Sequence, residues 1–197
     1  LYSAQQSSGQ WQQHAFVTPA NRHISILGMG KLGTAASQPL LQHGFPVSGW
    51  SRNAKSISGV DMHHGKEGLH RCLETADILV LLLPLTDETS GLINARSLAL
   101  MKPQTQLINF ARGSIINDDD LLAALDSGHI RHSVLDVFAT EPLPSEHPYW
   151  GHPSVTVLPH ISAPTNLDTA SVIVADNIRA YHATGNMPNH VDPQTGY

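Results

Sequence analysis

Alternation between short apolar runs and amphipathic stretches is the feature that most constrains the fold of this chain, and it begins at His23. Several runs are continuously apolar, as expected for parallel strands that helices cover on both faces. The stretches between them have helical length, which is typical of strand–helix–strand units. We therefore predict an α/β fold with a doubly wound parallel sheet, whose strands lie at 24–28, 46–51, 78–83, 106–110, 132–138 and 155–158.

Helices are predicted between these strands at 31–43, 66–73, 94–101 and 118–127, and a last helix at 167–184. The signals are strongest at 118–127, because Asn117 can cap its first turn, acidic residues follow at its positive end, and Gly128 can end it. Pro39 conflicts with the first helix, since an interior proline removes a backbone hydrogen bond at a cost of about 3 kcal/mol. We expect that helix to kink or to end early.

The composition argues against several classes of protein. Of the 197 residues, 41% are hydrophobic and 14% are charged, which is typical of a globular chain. The net charge of −5 argues against a nucleic-acid partner, and the longest apolar run, 78–83, is too short to span a membrane. The single cysteine, Cys72, excludes an internal disulfide and favours a cytoplasmic location. The histidines have no spacing that predicts a metal site.

Three glycines form a turn between the first predicted strand and the first predicted helix. Their spacing, Gly-x-Gly-x-x-Gly, matches the fingerprint of a Rossmann-type dinucleotide site. The first glycine allows the tight turn, the second lets a pyrophosphate approach, and the third lets helix and strand pack closely. The alternative is a tight turn that binds nothing. The cofactor-binding residues predicted here are Gly28, Met29, Gly30, Lys31, Leu32 and Gly33.

The end of the second predicted strand bears on the choice of dinucleotide. NAD enzymes usually offer Asp or Glu to the ribose at about 20 residues after the turn, whereas this chain has Ser51, Arg52 and Lys55 there and no acid. A charged hydrogen bond is worth roughly 1.5–3 kcal/mol, and no carboxylate is expected to repel a phosphate. We therefore predict NADP as the cofactor and keep NAD as the alternative. The alternative is that Arg52 and Lys55 are only solvated surface residues and bind no phosphate.

Three polar residues follow later predicted strands and together indicate reductive chemistry. Arg112 can grip a carboxylate with its planar fork, and His160 can give a proton to a carbonyl oxygen. Glu141 can orient the imidazolium and stabilise its charge. Each residue alone has a plain structural explanation, as an ion-pair partner, a loop charge or a structural histidine. Together they could bind a carboxylate and pass a proton to a carbonyl group, while the glycine turn holds the nicotinamide cofactor that supplies the hydride.

The segments that hold these three residues resemble a known family. From about Trp11 to its end, the chain is similar to the D-isomer-specific 2-hydroxyacid dehydrogenases, and most similar to their glyoxylate/hydroxypyruvate reductase branch. The resemblance is carried by Asn109-Phe110-Ala111-Arg112-Gly113, Leu135-Asp136-Val137-Phe138, Glu141-Pro142-Leu143-Pro144, Pro159-His160-Ile161, Trp50-Ser51-Arg52 and Gly196-Tyr197.

The resemblance implies that a small 2-keto acid is reduced to the 2-hydroxy acid, and it implies further site residues and a homodimer. It places Asp136 at the nicotinamide carboxamide and Ser162 in the cofactor site, and it implies that Leu83, Pro84 and Ala111 line the cofactor cleft.

The resemblance also implies an enzyme of two domains, with a substrate-binding domain built mainly from residues ahead of the dinucleotide fold. Residues 1–22 are accordingly predicted as a linker or a remnant of that domain, 23–166 as the NAD(P)-binding Rossmann domain, and 167–197 as a C-terminal helix and tail. The active site of such enzymes lies between the domains. The alternative is therefore a truncated or non-catalytic dinucleotide-binding module without turnover.

Overall fold

The computed structural model describes residues 2–186 and Pro188, and over these residues the chain forms a parallel sheet covered by helices. The strands are β1 Ile24–Leu27, β2 Val47–Ser51, β3 Asp61–His64, β4 Ile78–Leu81, β5 Thr105–Asn109, β6 Ile130–Leu135 and β7 Val155–Val157. The helices are α1 Tyr2–Ser7, α2 Lys31–Gln42, α3 Gly65–Thr75, α4 Ala95–Leu100, α5 Asp118–Asp126 and α6 Leu167–Thr184. Residues 187 and 189–197 of the predicted C-terminal tail lie outside the described residues.

The sheet has seven parallel strands in the order β3-β2-β1-β4-β5-β6-β7. This order confirms the predicted doubly wound, Rossmann-type fold, because the chain winds outward in both directions from β1. The reversal between β1 and β4 leaves a crevice at the carboxyl ends of these two strands. Ligands of such sheets bind at this kind of crevice.

Strand β3 was not predicted, because it lacks the apolar run that marks the other strands. It lies at the edge of the sheet, and its sequence Asp61-Met62-His63-His64 is polar at three of four positions. It pairs with β2 alone, through a register in which Ser48 faces Asp61. An edge strand needs fewer apolar side chains, since less of its surface is buried.

The helices follow the prediction closely. Asn117 caps α5 by accepting a hydrogen bond from the Asp120 N–H, and Gly128 after the helix has φ 72°. Helix α2 continues through Pro39 and ends at Gln42, one residue before the predicted end. Leu40 and Leu41 pack against the core in this last turn, and their burial offsets the backbone bond lost at the proline.

The core lies on the two faces of the sheet. The larger cluster joins β4, β5 and β6 to α3, α4 and α5, and the smaller one lies between β1, β2 and α2. Helix α6 has no buried residue. Within residues 2–186, no helix is both long and apolar enough to cross a bilayer.

Candidate active site

The glycine turn lies at the carboxyl end of β1, beside the first residues after β4. Gly28 has φ 110°, and a Cβ there would lie 2.5 Å from the Leu82 carbonyl carbon. A Cβ on Gly33 would overlap the carbonyl oxygen of Gly28, so this glycine lets α2 pack onto the turn. Gly30 differs, because a Cβ there would meet no atom within 4 Å. Two glycines are thus required by packing, while Gly30 leaves open space in front of the helix.

This open space is part of a cleft of about 820 Å³ at the point where the strand order reverses. The predicted residues that line it are Gly28, Met29, Gly30, Lys31, Leu32, Gly33, Ser51, Arg52, Lys55, Leu83, Pro84, Ala111 and Arg112. Four others from the prediction, Asp136, Glu141, His160 and Ser162, are not among its lining residues. A volume of this size lies within the usual range for a cofactor site. The lining residues that sequence reasoning missed come chiefly from the segment after β4, which carries no motif.

The cations after β2 both have partners across this cleft. The Lys55 ammonium donates a hydrogen bond to the Met29 carbonyl oxygen at 2.6 Å, so it lies over the glycine turn. The Arg52 guanidinium lies 3.7 Å from the Glu88 carboxylate. The expectation that no carboxylate would be present here is therefore wrong, because the loop after β4 brings Glu88 to the cleft. No local sequence signal connects Glu88 with Arg52.

The loop after β5 presents Arg112 at the cleft. The buried Asn109 side chain holds this loop by accepting from the Ala111 N–H at 3.0 Å and donating to the Arg112 carbonyl oxygen at 3.0 Å. The Arg112 side chain is exposed, and its Nη1 donates to the Ala111 carbonyl oxygen at 2.6 Å. Asn109 was noticed only as part of a motif, although its position at the end of a buried strand is a usable signal.

Glu141 and His160 form a hydrogen-bonded pair. The Glu141 Oε2 atom lies 2.8 Å from Nδ1 of His160, and Oε1 accepts from the Phe138 N–H at 2.9 Å. These two hydrogen bonds, with the charge of Arg112 adding to them, lower the pKa of Glu141 below its usual value. An ionised Glu141 can only accept, so Nδ1 of the ring carries its hydrogen toward Glu141 and Nε2 is left for exchange with a substrate. Glu141 and His160 are therefore brought together, while Arg112 lines the cleft and affects Glu141 through its charge.

Asp136, at the end of β6, is bonded to the loop that follows β7. Its side chain is buried, with the residue 2% exposed; Oδ1 accepts from the Ile161 N–H at 2.8 Å, and Oδ2 accepts from the Ser162 N–H at 3.0 Å. Between these anchored residues and β7 lies His160, with a left-handed φ of 54°. Sequence reasoning gave neither of these hydrogen bonds. The contact of Asp136 with a nicotinamide carboxamide stays a prediction.

Two further observations bear on the chemistry of the molecule. Burial raises the pKa of the Cys72 thiol to about 11, so this cysteine is neutral and unreactive near pH 7. In the part of the chain that the structure describes, no three His, Cys, Asp or Glu side chains are grouped to hold a metal ion.

Comparison with known proteins identifies the family of this chain. Residues 1–162 match the family model described as D-isomer specific 2-hydroxyacid dehydrogenase, NAD binding domain. Glyoxylate/hydroxypyruvate reductase A of Photorhabdus laumondii is 39% identical over the whole chain, and that of Serratia proteamaculans is 41% identical. The chain spans 63% of the length of each of these two relatives.

Solved structures are similar over the whole chain as well. A D-isomer specific 2-hydroxyacid dehydrogenase from Xanthobacter autotrophicus Py2, in complex with NADPH and MES, has a TM-score of 0.96 at 42% identity, and the chain covers 81% of it. An NADPH-dependent glyoxylate/hydroxypyruvate reductase from Sinorhizobium meliloti, in complex with NADP and sulfate, has a TM-score of 0.93 at 36% identity, with 63% covered.

Proposed function

Because the chain belongs to the D-isomer specific 2-hydroxyacid dehydrogenase family, we propose that it acts as an NADPH-dependent reductase of small 2-keto acids of the glyoxylate and hydroxypyruvate type. The observation that carries this proposal is the Glu141–His160 hydrogen bond of 2.8 Å, with Arg112 close enough to lower the pKa of the same carboxylate. In this proposal His160 is the proton donor, Glu141 is its orienting acid, and Arg112, which lines the dinucleotide-sized cleft, is the carboxylate-binding cation.

The residues that line the cleft fit a dinucleotide with an added phosphate. The N–H groups at the start of α2 lie behind Gly30, where open space allows a pyrophosphate to approach. Arg52 and Lys55 supply positive charge at the ribose end. The relatives from X. autotrophicus and S. meliloti were solved with NADPH and with NADP, which supports the same choice here. When bound, the reduced nicotinamide supplies the hydride.

Each catalytic residue has one task in this proposal. Arg112 binds the substrate carboxylate and so fixes the keto group beside His160. The imidazolium gives the Nε2 proton to the carbonyl oxygen, where negative charge develops as the carbonyl carbon is reduced. Glu141 keeps the ring oriented through Nδ1 and stabilises the imidazolium before the proton leaves.

A second candidate is a dinucleotide-binding module without turnover. It is favoured by the exposure of the catalytic pair, since the side chain of His160 is 52% exposed and that of Glu141 is 36% exposed. Proton transfer in such a site is most effective when water is excluded, and the residues described here leave the pair open to solvent. In this candidate the cleft binds NADPH, but the pair performs no reduction.

The two candidates are separated by measuring binding and turnover on the same sample. We expect NADPH to bind more tightly than NADH in a fluorescence titration, and glyoxylate or hydroxypyruvate to cause NADPH oxidation at 340 nm. Tight NADPH binding with no oxidation supports the module. Failure to bind either dinucleotide contradicts both candidates.

Replacing Glu88 with glutamine should tighten NADPH binding by about two- to fivefold, because an exposed ion pair is worth up to about 1 kcal/mol. The Glu88 carboxylate competes with the added phosphate for Arg52 and also repels it. NADH lacks this phosphate, so its dissociation constant should stay within about twofold. Asp87→Asn, which removes the adjacent exposed charge, is the matched control. Equal changes for NADPH and NADH would contradict the assignment of this end of the cleft.

Replacing Gly30 with alanine should weaken NADPH binding about tenfold or more and leave the unfolding free energy within about 0.5 kcal/mol of the wild type. The added methyl group meets no protein atom within 4 Å, so it occupies only the space that the pyrophosphate needs. Titration with NADPH and urea denaturation measure the two effects. Unchanged NADPH affinity in this variant would show that the phosphates do not lie at the turn.

The predicted homodimer and cytoplasmic location are kept as part of this proposal. They rest on the family resemblance and on the cysteine content.

A further inference from the structure

We infer that Asp136 is a positioning residue for His160, and that it acts by clamping the backbone of the loop that carries the histidine. The inference rests on the proposed function, because it assigns His160 the role of proton donor. It does not depend on any contact between Asp136 and a cofactor.

Hydrogen bonds to the end of β6 hold the chain on both sides of His160. The Leu158 N–H donates to the Leu135 carbonyl oxygen at 2.9 Å and so continues the strand pairing to the end of β7. The Ile161 N–H then donates to Asp136, the next residue after Leu135. Pro159 and His160 are the only residues between these anchors. The backbone of His160 is therefore held from both sides by consecutive residues at one strand end.

The chemistry of the clamp requires a carboxylate. Two consecutive N–H groups, those of Ile161 and Ser162, each donate to a different oxygen of Asp136. An ionised carboxylate accepts at both oxygens, whereas an asparagine amide has one acceptor and would direct an NH₂ group at the second N–H. The carboxylate is buried, and a buried charge is retained only where hydrogen bonds compensate it. The charge and the loop therefore stabilise each other.

The clamp also explains how an exposed histidine keeps an unusual backbone. His160 has a φ of 54°, a conformation that residues other than glycine adopt rarely and only where the surroundings impose it. Ile161 is 56% exposed, so little side-chain burial anchors the loop at this point. Glu141 holds the ring of His160, and Asp136 holds its backbone. Both acids lie in the single segment that follows β6.

Asp136→Asn tests the clamp on the 197-residue chain. We expect hydrogen exchange at the Ile161 and Ser162 amides, measured by NMR, to become at least tenfold faster. We also expect kcat with glyoxylate, measured at saturating NADPH, to fall at least tenfold, while the KM for glyoxylate stays within threefold. Asp126→Asn is the control, because this exposed acid pairs only with His152 among the described residues. It should change none of these quantities.

Ser162→Pro tests the same clamp from the other side and serves if Asp136→Asn does not fold. It removes one donated N–H and leaves the buried carboxylate in place, so faster exchange at Ile161 with a lower kcat is expected. Unchanged exchange at Ile161 in a folded variant would overturn the inference. So would a loss of NADPH affinity that accounts for all of the lost turnover. Because exchange is measured without cofactor or substrate, it decides the clamp even where turnover is absent and the proposed function fails.

Discussion

Replacing Gly113 with alanine should lower the free energy of unfolding by about 3 kcal/mol or more. A Cβ at this position would overlap the backbone of Phe138 and Ala139, namely the Phe138 carbonyl carbon and Cα and the Ala139 nitrogen. Backbone atoms next to β6 cannot turn aside as a flexible side chain can, so the two loops would have to separate. Urea denaturation followed by circular dichroism measures the loss.

Gly151→Ala is the matched control for this prediction. Gly151 has an ordinary φ of −96°, and a Cβ there would meet no atom within 4 Å. Its unfolding free energy should stay within about 0.5 kcal/mol of the wild type. If Gly113→Ala were as stable as this control, the result would contradict the close contact between the loop after β5 and the loop after β6.

The position of Gly113 also links packing to the site. It follows Arg112 directly, and the backbone that it touches leads within three residues to Glu141. The absence of a side chain at Gly113 thus lets the loop after β5 lie against the loop after β6. A folded Gly113→Ala variant should therefore lose turnover as well as stability, because Arg112 and Glu141 would move apart.

Most of the fold could be predicted because the signals for strands and helices are local. Buried strands such as β4 carry continuous apolar runs, and α5 carries its own cap at Asn117. The prediction extended several strands too far, since Leu82 and Leu83 continue the apolar run of β4 after the chain has left the sheet. These side chains are apolar because they line the cleft or pack on the core. The sequence alone does not show whether an apolar residue belongs to a strand or lines a cleft. Edge strand β3 was missed for the opposite reason.

The site could be predicted where its residues belong to recognisable motifs. The glycine turn lines the cleft, and Glu141 is hydrogen-bonded to His160, while the catalytic roles of these two residues and of Arg112 stay predictions. What sequence reasoning missed depends on contacts between distant loops. Glu88 contacts Arg52 only because β4 lies next to β1 in the sheet. The Asp136 carboxylate accepts hydrogen bonds from the loop after β7 only because β7 pairs with β6. An acid after a strand can face a ligand, solvent or another loop, and its own sequence neighbours do not distinguish these surroundings.

Replacing His160 with glutamine should lower kcat for NADPH-dependent reduction of glyoxylate by about 10²–10⁴, the range typical of a lost general acid. Glutamine can still bond with Glu141 but has no proton to give near pH 7. Because His160 does not line the cleft described above, the Kd for NADPH should change by less than about twofold. Stopped-flow oxidation of NADPH at saturating glyoxylate separates the chemical step from binding.

The pH dependence of activity gives a related prediction for Glu141. Its pKa is lowered in the folded chain, first by the hydrogen bond with His160 and then by the Phe138 N–H. The carboxylate is therefore ionised throughout the range of about pH 6 to 8, and its protonation should not limit activity there. Because the folded chain lowers this pKa, the ionised carboxylate contributes stability to the fold. That contribution is fully present above the usual pKa of 4.5 and is lost as the pH falls through the lowered pKa. Glu141→Gln should therefore reduce kcat across the whole neutral range without moving NADPH affinity.

His43→Gln is the control for the histidine substitution, because this exposed residue caps α2, where its ring bonds with the Pro39 carbonyl oxygen. It should keep full turnover and the wild-type Kd for NADPH. If His160→Gln kept wild-type kcat, the hydrogen-bonded pair would be structural and another group would have to supply the proton. If it lost NADPH binding in proportion to kcat, His160 would act on the cofactor instead of on the substrate carbonyl. A fall in kcat alone is the outcome that requires His160 to move a proton.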